Sequence, residues 1–252
     1  MDLQLAGKRA LVTGGSKGIG LAVATSLVRE GCAVTISARD AEALEAAADG
    51  LRASGAEVAM IACDLAQEGG IQDVAERCGP LDILVNNAGA IPPGLLGDIG
   101  MDRWRTAWDL KVFGYITLTQ KLYANLRERR GVVVNVIGTA GEKFVPGYIA
   151  GSAGNAALMA FTRALATTSH RDGIRVVGIN PGPVGTERLA LMMKARAQSE
   201  LGDADRWHEL VAGMPFGRFA EPREIADAVA FLASPRSGYT SGTILTIDGG
   251  TA

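Results

Sequence analysis

Short apolar runs rich in β-branched residues alternate with helical stretches along almost the whole of this 252-residue chain. The apolar runs predict seven strands, at 8–12, 33–37, 57–62, 83–85, 132–137, 175–179 and 243–247. Helical patterns between them cover 19–30, 41–53, 101–129, 155–170 and 221–233. The valines at 132–134 follow one another without alternation, which is typical of a strand covered on both faces. The sequence therefore predicts an α/β protein with a doubly wound, seven-stranded parallel sheet.

A single domain spanning 1–252 is expected, because no Pro/Ser-rich linker, charge run or change of composition separates the elements. The segment 186–217 differs from the rest, since it fits no strand pattern. It carries the large side chains Met192, Met193, Trp207, His208 and Met214. Two compatible interpretations apply to this segment: a lid over a substrate, or an amphipathic helical excursion that packs its apolar residues on the body of the domain.

Composition and charge exclude several classes of protein. Apolar residues make up 48% of the chain, which is too many for a disordered segment. The 25 Lys and Arg residues are balanced by 27 Asp and Glu residues, so no basic surplus favours nucleic acid or an anionic membrane as a partner. No apolar run approaches the roughly 20 residues of a membrane span, and no signal-peptide pattern precedes residue 8. A soluble, cytoplasmic protein is expected.

The cysteines and histidines do not form a recognisable site. Cys32, Cys63 and Cys78 lack the CxxC or Cys/His spacing of redox and zinc sites, so we interpret them as small buried thiols in a reducing compartment. No metal site is predicted. His170 and His208 lie away from the strand ends where this kind of sheet places its chemistry, and we expect them to decorate helices.

A glycine-rich turn, TGGSKGIG at 13–20, follows the first predicted strand and opens a helix. Gly14 permits the sharp turn from strand to helix, while Gly18 and Gly20 let backbone and helix approach a pyrophosphate closely. The N–H groups of the first helical turn then point at the anion. Because this GxxxGxG pattern lies in the first βαβ unit, it predicts a dinucleotide site.

The residues after the second and third strands bear on which nucleotide binds. An acidic residue at the tip of the second strand binds ribose hydroxyls in dinucleotide folds, whereas the Ala38-Arg39 pair found here leaves room for a 2′-phosphate. Lys17 offers a second cation, so NADP(H) is predicted over NAD(H). The alternative is that Arg39 and Lys17 are solvated surface charges. Asp64 is either an acceptor for the adenine amino group or the N-cap of the next helix.

Motifs after the later strands indicate a family. The sequence NNAG at 86–89 follows the fourth strand, NPG at 180–182 follows the sixth, and DGG lies at 248–250. With the glycine turn, they make the chain resemble the short-chain dehydrogenase/reductase family almost from end to end. The resemblance implies a Rossmann fold, a nicotinamide nucleotide over the carboxyl edge of the sheet, a small alcohol or carbonyl substrate, and a homodimer or homotetramer. The predicted cofactor contacts are Gly14, Ser16, Lys17, Gly18, Ile19, Gly20, Arg39, Asp64, Leu65, Asn87, Ala88, Gly89, Asn155, Pro181, Gly182, Val184 and Thr186.

The residues that carry the chemistry of this family are replaced here. The family uses a Ser after the fifth strand, a Tyr and a Lys spaced YxxxK on the following helix, and an Asn on the helix before. In the register set by their neighbours, these positions hold Gly138, Gly151, Asn155 and Lys111. Glycine offers no side chain as general acid or oxyanion donor, so ordinary family chemistry at these positions is not expected. Gly151 is also expected to enlarge the pocket beside the nicotinamide.

Three functions are compatible with an intact nucleotide motif beside replaced catalytic residues. The first is a rewired oxidoreductase that uses Tyr148 as acid, Lys111 as the cation beside it and Thr139 as hydroxyl donor. The competing interpretations of these residues are a packing aromatic, a surface charge and a turn hydroxyl. The second function is an NADP(H)-binding sensor or regulatory partner without hydride transfer. The third is a structural subunit in which helices 101–129 and 155–170 serve as an assembly interface. Burial in the core of the chain itself would explain their small and apolar residues equally well.

Overall fold

The computed structural model describes residues 1–251 and confirms the α/β class. All strands join one parallel sheet in the order β3-β2-β1-β4-β5-β6-β7. Each strand lies within two residues of its predicted position. The strands are β1 (Arg9–Thr13), β2 (Ala33–Ala38), β3 (Val58–Ala62), β4 (Ile83–Asn86), β5 (Val132–Val136), β6 (Arg175–Pro181) and β7 (Ile244–Ile247).

Helices connect the strands and cover both faces of the sheet. They are α1 (Gly18–Arg29), α2 (Ala41–Arg52), α3 (Glu68–Arg77), α4 (Met101–Trp108), α5 (Gly114–Arg129), α6 (Ile149–Ser169), α7 (Glu187–Leu201), α8 (Trp207–Val211) and α9 (Pro222–Ala233). None of the helices within residues 1–251 is both long enough and apolar enough to cross a membrane.

Three helical predictions differ from the structure. The predicted helix 101–129 is interrupted by a π-helical turn at Asp109–Phe113, which separates α4 from α5. Helix α6 begins six residues earlier than predicted, because Gly151 and Gly154 replace apolar side chains in its first turns. Helix α3 was anticipated only through Asp64 as a possible N-cap, and it begins at Glu68, two residues beyond Ala66, where that helix was expected to start. Its periodic pattern is weak, since two glycines lie in its first turn and only Ile71 and Val74 are buried.

The pleat of β1 shows how the sheet builds two cores. Ala10 and Val12 face one side, where α1, α2 and α9 pack. Leu11 faces the other side, where α3, α5 and α6 pack. Because both faces are covered, the central strands are predominantly apolar, and every residue of β5 is buried, including its one polar residue, Asn135.

A buried polar ladder ties the two strands at the sheet centre to the helices behind them. The Asn86 side-chain amide donates to Thr119 Oγ1 at 3.1 Å and to Asn135 Oδ1 at 2.9 Å. The Asn135 amide in turn donates to Thr162 Oγ1 at 2.9 Å. Helices α5 and α6 are thereby fixed against β4 and β5, and the residues at the adjacent strand ends hold defined positions.

The cysteines are free thiols, but they are not all buried. Cys32 and Cys78 lie in the core, as predicted, whereas Cys63 is only half-buried, so that part of the prediction is wrong. The reason is its place at the open carboxyl edge of the sheet, one residue after β3. Partial burial still raises the pKa of the Cys63 thiol to about 11, and fuller burial raises the pKa of Cys32 to about 12. Both thiols are therefore protonated near neutral pH.

The segment 186–217 is largely helical. Met193, Ala197 and Val211 pack inward from α7 and α8, in agreement with the amphipathic interpretation. Leu191 instead lines the main cleft. Closure of this segment as a lid stays a prediction.

The strand order positions the functional cleft. The chain runs outward from β1 to β2 and β3, and then returns to place β4 on the other side of β1. The loops that follow β1 and β4 consequently leave the carboxyl ends of these two strands in opposite directions. Ligands of doubly wound sheets bind in the crevice formed at this reversal.

Candidate active site

A cleft of about 1140 Å³ opens at the carboxyl ends of the strands. It gathers most of the predicted site residues into one surface. Those that line it are Gly14, Ser16, Lys17, Gly18, Ile19, Arg39, Leu65, Asn87, Ala88, Gly89, Lys111, Thr139, Tyr148, Asn155, Pro181, Gly182 and Thr186.

Three predicted cofactor residues lie outside this lining. Gly20 is buried beneath the glycine turn. Asp64 Oδ1 accepts a hydrogen bond from the Ala66 N–H at 3.0 Å, which caps the turn before α3 rather than the helix itself. Val184 is buried in the core on the α1 and α9 side of the sheet.

The glycine turn is packed so tightly that side chains are excluded. A Cβ atom on Gly20 would overlap the carbonyl oxygen of Gly14 and lie 2.5 Å from Asn87 Nδ2. Gly14 and Gly18 have φ angles of +65° and +57°, a region that favours glycine. Helix α1 begins at Gly18, so its free N–H groups face the cleft. The turn thus has the shape and polarity of a pyrophosphate cradle.

The loop after β4 is fastened to the end of β1. Thr13 Oγ1 accepts the backbone N–H groups of Asn87 at 2.9 Å and of Ala88 at 3.0 Å. The Asn87 side-chain amide donates to the carbonyl oxygen of Thr13 at 2.9 Å. These contacts hold the floor of the cleft in place beside the glycine turn.

Two cations stand at the tip of β2 and the adjoining turn. Arg39 and Lys17 are exposed, line the cleft and form no ion pair within residues 1–251. The adjacent Asp40 forms no ion pair with either of them, and its carboxylate instead caps α2 by accepting from the Ala43 N–H at 3.1 Å. Ser37, which sequence reasoning missed, also lines this end, and its buried Oγ has no hydrogen-bond partner among the described residues.

Gly138 and Asn155 form a matched pair at the other end of the cleft. Gly138 has a φ of +128°, and a Cβ there would lie 3.0 Å from Asn155 Nδ2. That amide nitrogen donates to the Gly138 carbonyl at 3.2 Å. A side chain at Gly138 is therefore disfavoured by both backbone angle and space. Asn155 Oδ1 is buried and finds no partner in the described chain.

The Tyr148 ring fills the space beside Gly151. A Cβ atom placed on Gly151 would overlap three ring carbons of Tyr148. The expectation that Gly151 enlarges the pocket is therefore wrong, because a neighbouring aromatic occupies the volume. Tyr148 is held as the residue before α6, with its N–H donated to Val145 at 2.9 Å. Burial raises the pKa of its phenol, and the positive charge of Arg188 partly opposes this rise.

Lys111 reaches the cleft from the π-helical turn between α4 and α5. Its Nζ donates to the Ile137 carbonyl at 2.6 Å, and its aliphatic part passes so close to Gly89 that a Cβ there would lie 2.9 Å from Lys111 Cδ. Burial and the charge of Arg188 lower the pKa of Lys111 to about 8. π-Helical turns often occur at functional sites, and this one carries a candidate catalytic cation.

Thr139 opens a short 3-10 turn after β5 and is half-buried at the cleft wall. Tyr148, Lys111 and Thr139 thus share one surface. All three lie within the described residues, and none of their side chains hydrogen-bonds another. The structure brings the candidate acid, cation and hydroxyl to the same cleft as separate groups.

Sequence reasoning also missed Arg188. This side chain extends from the first turn of α7 and donates to the Ile91 carbonyl at 2.9 Å and the Gly89 carbonyl at 3.5 Å. Its only sequence signal was its position two residues after Thr186.

The two histidines, His170 and His208, do not line the cleft. The His208 ring lies against that of Trp207, with the centroids 3.8 Å apart and the planes tilted by 36°, and His170 is exposed at the end of α6. Residues 1–251 contain no group of three or more His, Cys, Asp or Glu side chains placed to hold a metal ion.

Comparison with known proteins gives matches over nearly the full length. The family model described as Enoyl-(Acyl carrier protein) reductase matches residues 14–252. Gluconate 5-dehydrogenase from Gluconobacter oxydans is 32% identical over 251 residues, which cover 98% of this chain and 95% of that protein.

Solved structures agree with this sequence likeness. The L-sorbose reductase of Gluconobacter frateurii, complexed with NADPH and L-sorbose, superposes with a TM-score of 0.94 at 32% identity, covering 99% of this chain and 98% of the other. The NADPH-bound short chain oxidoreductase of Pseudomonas aeruginosa PAO1, described as containing an atypical catalytic center, has a TM-score of 0.88 at 32% identity, covering 97% and 96%. With these relatives, this sheet order and the glycine turn at its reversal, the chain belongs to the short-chain dehydrogenase/reductase family.

Proposed function

We propose that this protein is an NADP(H)-dependent oxidoreductase that interconverts an alcohol and a carbonyl compound through a relocated active site. The observation that carries the proposal is the Tyr148 ring in the space beside Gly151. In the family register, position 151 is where the catalytic tyrosine begins. A phenol is therefore delivered to the same region from a position three residues earlier in the chain.

The residues of the cleft fit an NADP(H) molecule. The glycine turn and the start of α1 would hold the pyrophosphate, and the unpaired cations Lys17 and Arg39 would hold a 2′-phosphate. The orphaned Asn155 Oδ1 would accept a ribose hydroxyl. When bound, the nicotinamide supplies or accepts the hydride. The NADPH found in the sorbose reductase and Pseudomonas structures supports this choice of cofactor.

Tyr148 is the group that we assign to proton transfer. In the reducing direction, its phenolic proton would pass from Oη to the carbonyl oxygen of the substrate, which becomes the alcohol hydroxyl. Burial raises the pKa of Tyr148, so the phenol holds its proton at neutral pH and has one to donate, while the charge of Arg188 opposes the rise and so favours release of that proton. Lys111 would stabilise the phenolate that remains, and Thr139 would donate a hydrogen bond to the reacting oxygen.

The test replaces the phenol and nothing else. Tyr148→Phe is expected to lower carbonyl-dependent NADPH oxidation by about 10²-fold or more, the range expected for a general acid, while NADPH still binds. Tyr123→Phe is the matched control, since Tyr123 lies on α5 and donates to Asp172 at 2.8 Å away from the cleft lining. Full activity of Tyr148→Phe across the substrates turned over by the wild type would remove the assignment.

A second function has its own supporting observation. Tyr148, Lys111 and Thr139 make no hydrogen bonds with each other, and the pKa of Tyr148 is raised, whereas a base in alcohol oxidation needs a lowered one. These facts favour an NADP(H)-binding sensor or regulatory subunit without hydride transfer. In that case NADPH would raise the thermal midpoint, yet no carbonyl compound would be reduced. An unchanged midpoint and assembly state with NADPH would contradict the sensor role.

We also infer that the chain forms a homodimer or homotetramer. Ala160 and Ala164 are exposed on α6, so their small side chains are not explained by the core of this chain, and Phe113 is exposed before α5. Small residues on exposed helix faces allow close helix packing. Sedimentation as a monomer at micromolar concentration would contradict this inference.

A further inference from the structure

Two cations approach each other on either side of Gly89. The Lys111 side chain crosses the Cα of Gly89, where a Cβ would lie only 2.9 Å from Lys111 Cδ. Arg188 donates to the Gly89 carbonyl at 3.5 Å and to the Ile91 carbonyl at 2.9 Å. Both side chains line the same cleft, beside Tyr148. Their positive charges are therefore concentrated at the end of the cleft where we place the substrate.

Neither cation is neutralised by the protein. Lys111 and Arg188 contact backbone carbonyls only, and no carboxylate in residues 1–251 pairs with either. Glu187 also lines the cleft next to Arg188, but it forms no ion pair with it. Partial burial of Lys111 makes an uncompensated charge more costly there than at the surface. An anion in this part of the cleft would relieve the cost.

The chemistry of the two groups suggests a division of roles. The Arg188 guanidinium is exposed and uses part of its donor set on the carbonyl oxygens, so it retains N–H donors for a ligand. A guanidinium matches the two oxygens of a carboxylate or phosphate. The Lys111 ammonium lies deeper and adds positive potential behind it.

We propose that Arg188 binds an anionic group, carboxylate or phosphate, on the substrate, and that this protein selects charged carbonyl compounds over neutral ones of the same shape. The inference rests on the proposed function for the location of the substrate. It goes further by assigning the substrate class and the residue that selects it. Arg188 acts here as a specificity residue and gives up no proton itself, although its charge also lowers the pKa of Tyr148.

The test compares pairs of carbonyl compounds in which one member carries an anionic group and the other does not, and it needs no turnover. Levulinate is paired with methyl levulinate, and dihydroxyacetone phosphate with dihydroxyacetone. Binding to the NADP⁺-saturated wild type is measured by calorimetry, because a carbonyl compound cannot be reduced in that complex. We expect the charged member of at least one pair to bind about tenfold more tightly, as one charge-assisted contact allows. The pair that shows the preference identifies carboxylate or phosphate.

Variants then identify the residue that causes the preference for the charged ligand. Arg188→Met is expected to reduce it to twofold or less, and Arg188→Lys, which keeps the charge without the fork, to give an intermediate value. Arg196→Met is the matched control, since Arg196 lies on the same helix and pairs with Glu200 away from the cleft lining. This control should keep the wild-type preference. Thermal unfolding of each variant checks that the fold is intact.

Three results overturn the proposal. The first is a wild type that binds neither charged probe more tightly than its neutral partner. The second is Arg188→Met with an unchanged preference. The third is Arg188→Met that loses NADP⁺ affinity while keeping the preference, which assigns Arg188 to the cofactor. A charge preference in a protein that turns over no carbonyl compound leaves this inference standing and removes only the proposed reaction.

Discussion

In the proposed site, closely packed backbone around Gly14 and Gly20 shapes the end of the cleft assigned to the nucleotide, here called the nucleotide end. Side chains from separate elements, among them Tyr148 and Lys111, shape the end assigned to the reaction, here called the chemical end. At the nucleotide end, Gly20 packs so closely on Gly14 that no Cβ fits. At the chemical end, the Tyr148 ring lies over Gly151, and Lys111 arrives from another helix. A site made of backbone needs a defined local sequence. A site made of side chains needs only that a functional group, such as a phenol, reaches the reacting atoms. A side chain can reach them from several backbone positions.

The largest effect should come from refilling the space beside Gly151. In Gly151→Ala, the added methyl group overlaps the Tyr148 ring and forces it to move. We expect turnover to fall by about 10²-fold, the value of a positioned acid, while NADPH affinity changes little. Steady-state kinetics and a fluorescence titration with NADPH measure the two quantities.

The matched control for this variant is Gly147→Ala, in the turn that precedes α6, where a Cβ has nothing within 4 Å. It should keep both turnover and affinity. If Gly151→Ala lost NADPH affinity but kept its turnover at saturating NADPH, position 151 would belong to the nucleotide end and the division into two ends would be wrong.

A smaller effect is expected at the nucleotide end from Arg39→Met. Removing this cation, which has no ion-pair partner, should weaken the binding of NADPH by about tenfold and leave the binding of NADH unchanged, because only NADPH carries the 2′-phosphate. Arg29→Met, at the exposed end of α1, is the control and should bind NADPH as the wild type does. Equal affinities of the wild type for NADPH and NADH would show that Arg39 and Lys17 are ordinary surface charges.

The smallest effect is the pH dependence that Lys111 imposes. Its pKa of about 8 means that the side chain loses its charge as the pH rises through that value. If the cation assists Tyr148, kcat/KM should fall several-fold between about pH 7 and about pH 9. Tyr148 does not interfere in this range, because its own pKa is raised above the ordinary value for a phenol.

Lys111→Met should have a lower kcat/KM than the wild type near pH 7, and its kcat/KM should not decline between about pH 7 and about pH 9. Lys121→Met, exposed on α5, should keep the wild-type profile. A decline that persists in Lys111→Met would mean that another group titrates.

The same contrast explains what the sequence could predict. The sheet was predictable because strands such as β5 are predominantly apolar, without an alternation of apolar and polar residues. The nucleotide end was predictable because its glycines lie close together in the chain and directly follow β1. Family resemblance then located the replaced positions, including Gly138 and Gly151. These are features of local sequence, which a single chain displays without its structure.

The chemical end was predictable only in part, because its contacts join distant residues. Arg188 meets the Gly89 carbonyl across 99 positions of sequence. The overlap of Tyr148 with Gly151 depends on the direction in which the ring leaves the backbone, and sequence spacing does not give that direction. The half-buried state of Cys63 likewise depends on where the sheet edge opens.

The π-helical turn at Asp109–Phe113 has a consequence for how this site can change by insertion and deletion. Such a turn holds one residue more than a regular α-helical turn, and each residue rotates a helix by about 100°. Deleting one residue there would leave the side chains of the candidate site unchanged in kind, yet it would turn Lys111 away from Ile137 and the cleft. The count of residues in this helix is thus as much a part of the site as the identity of its side chains.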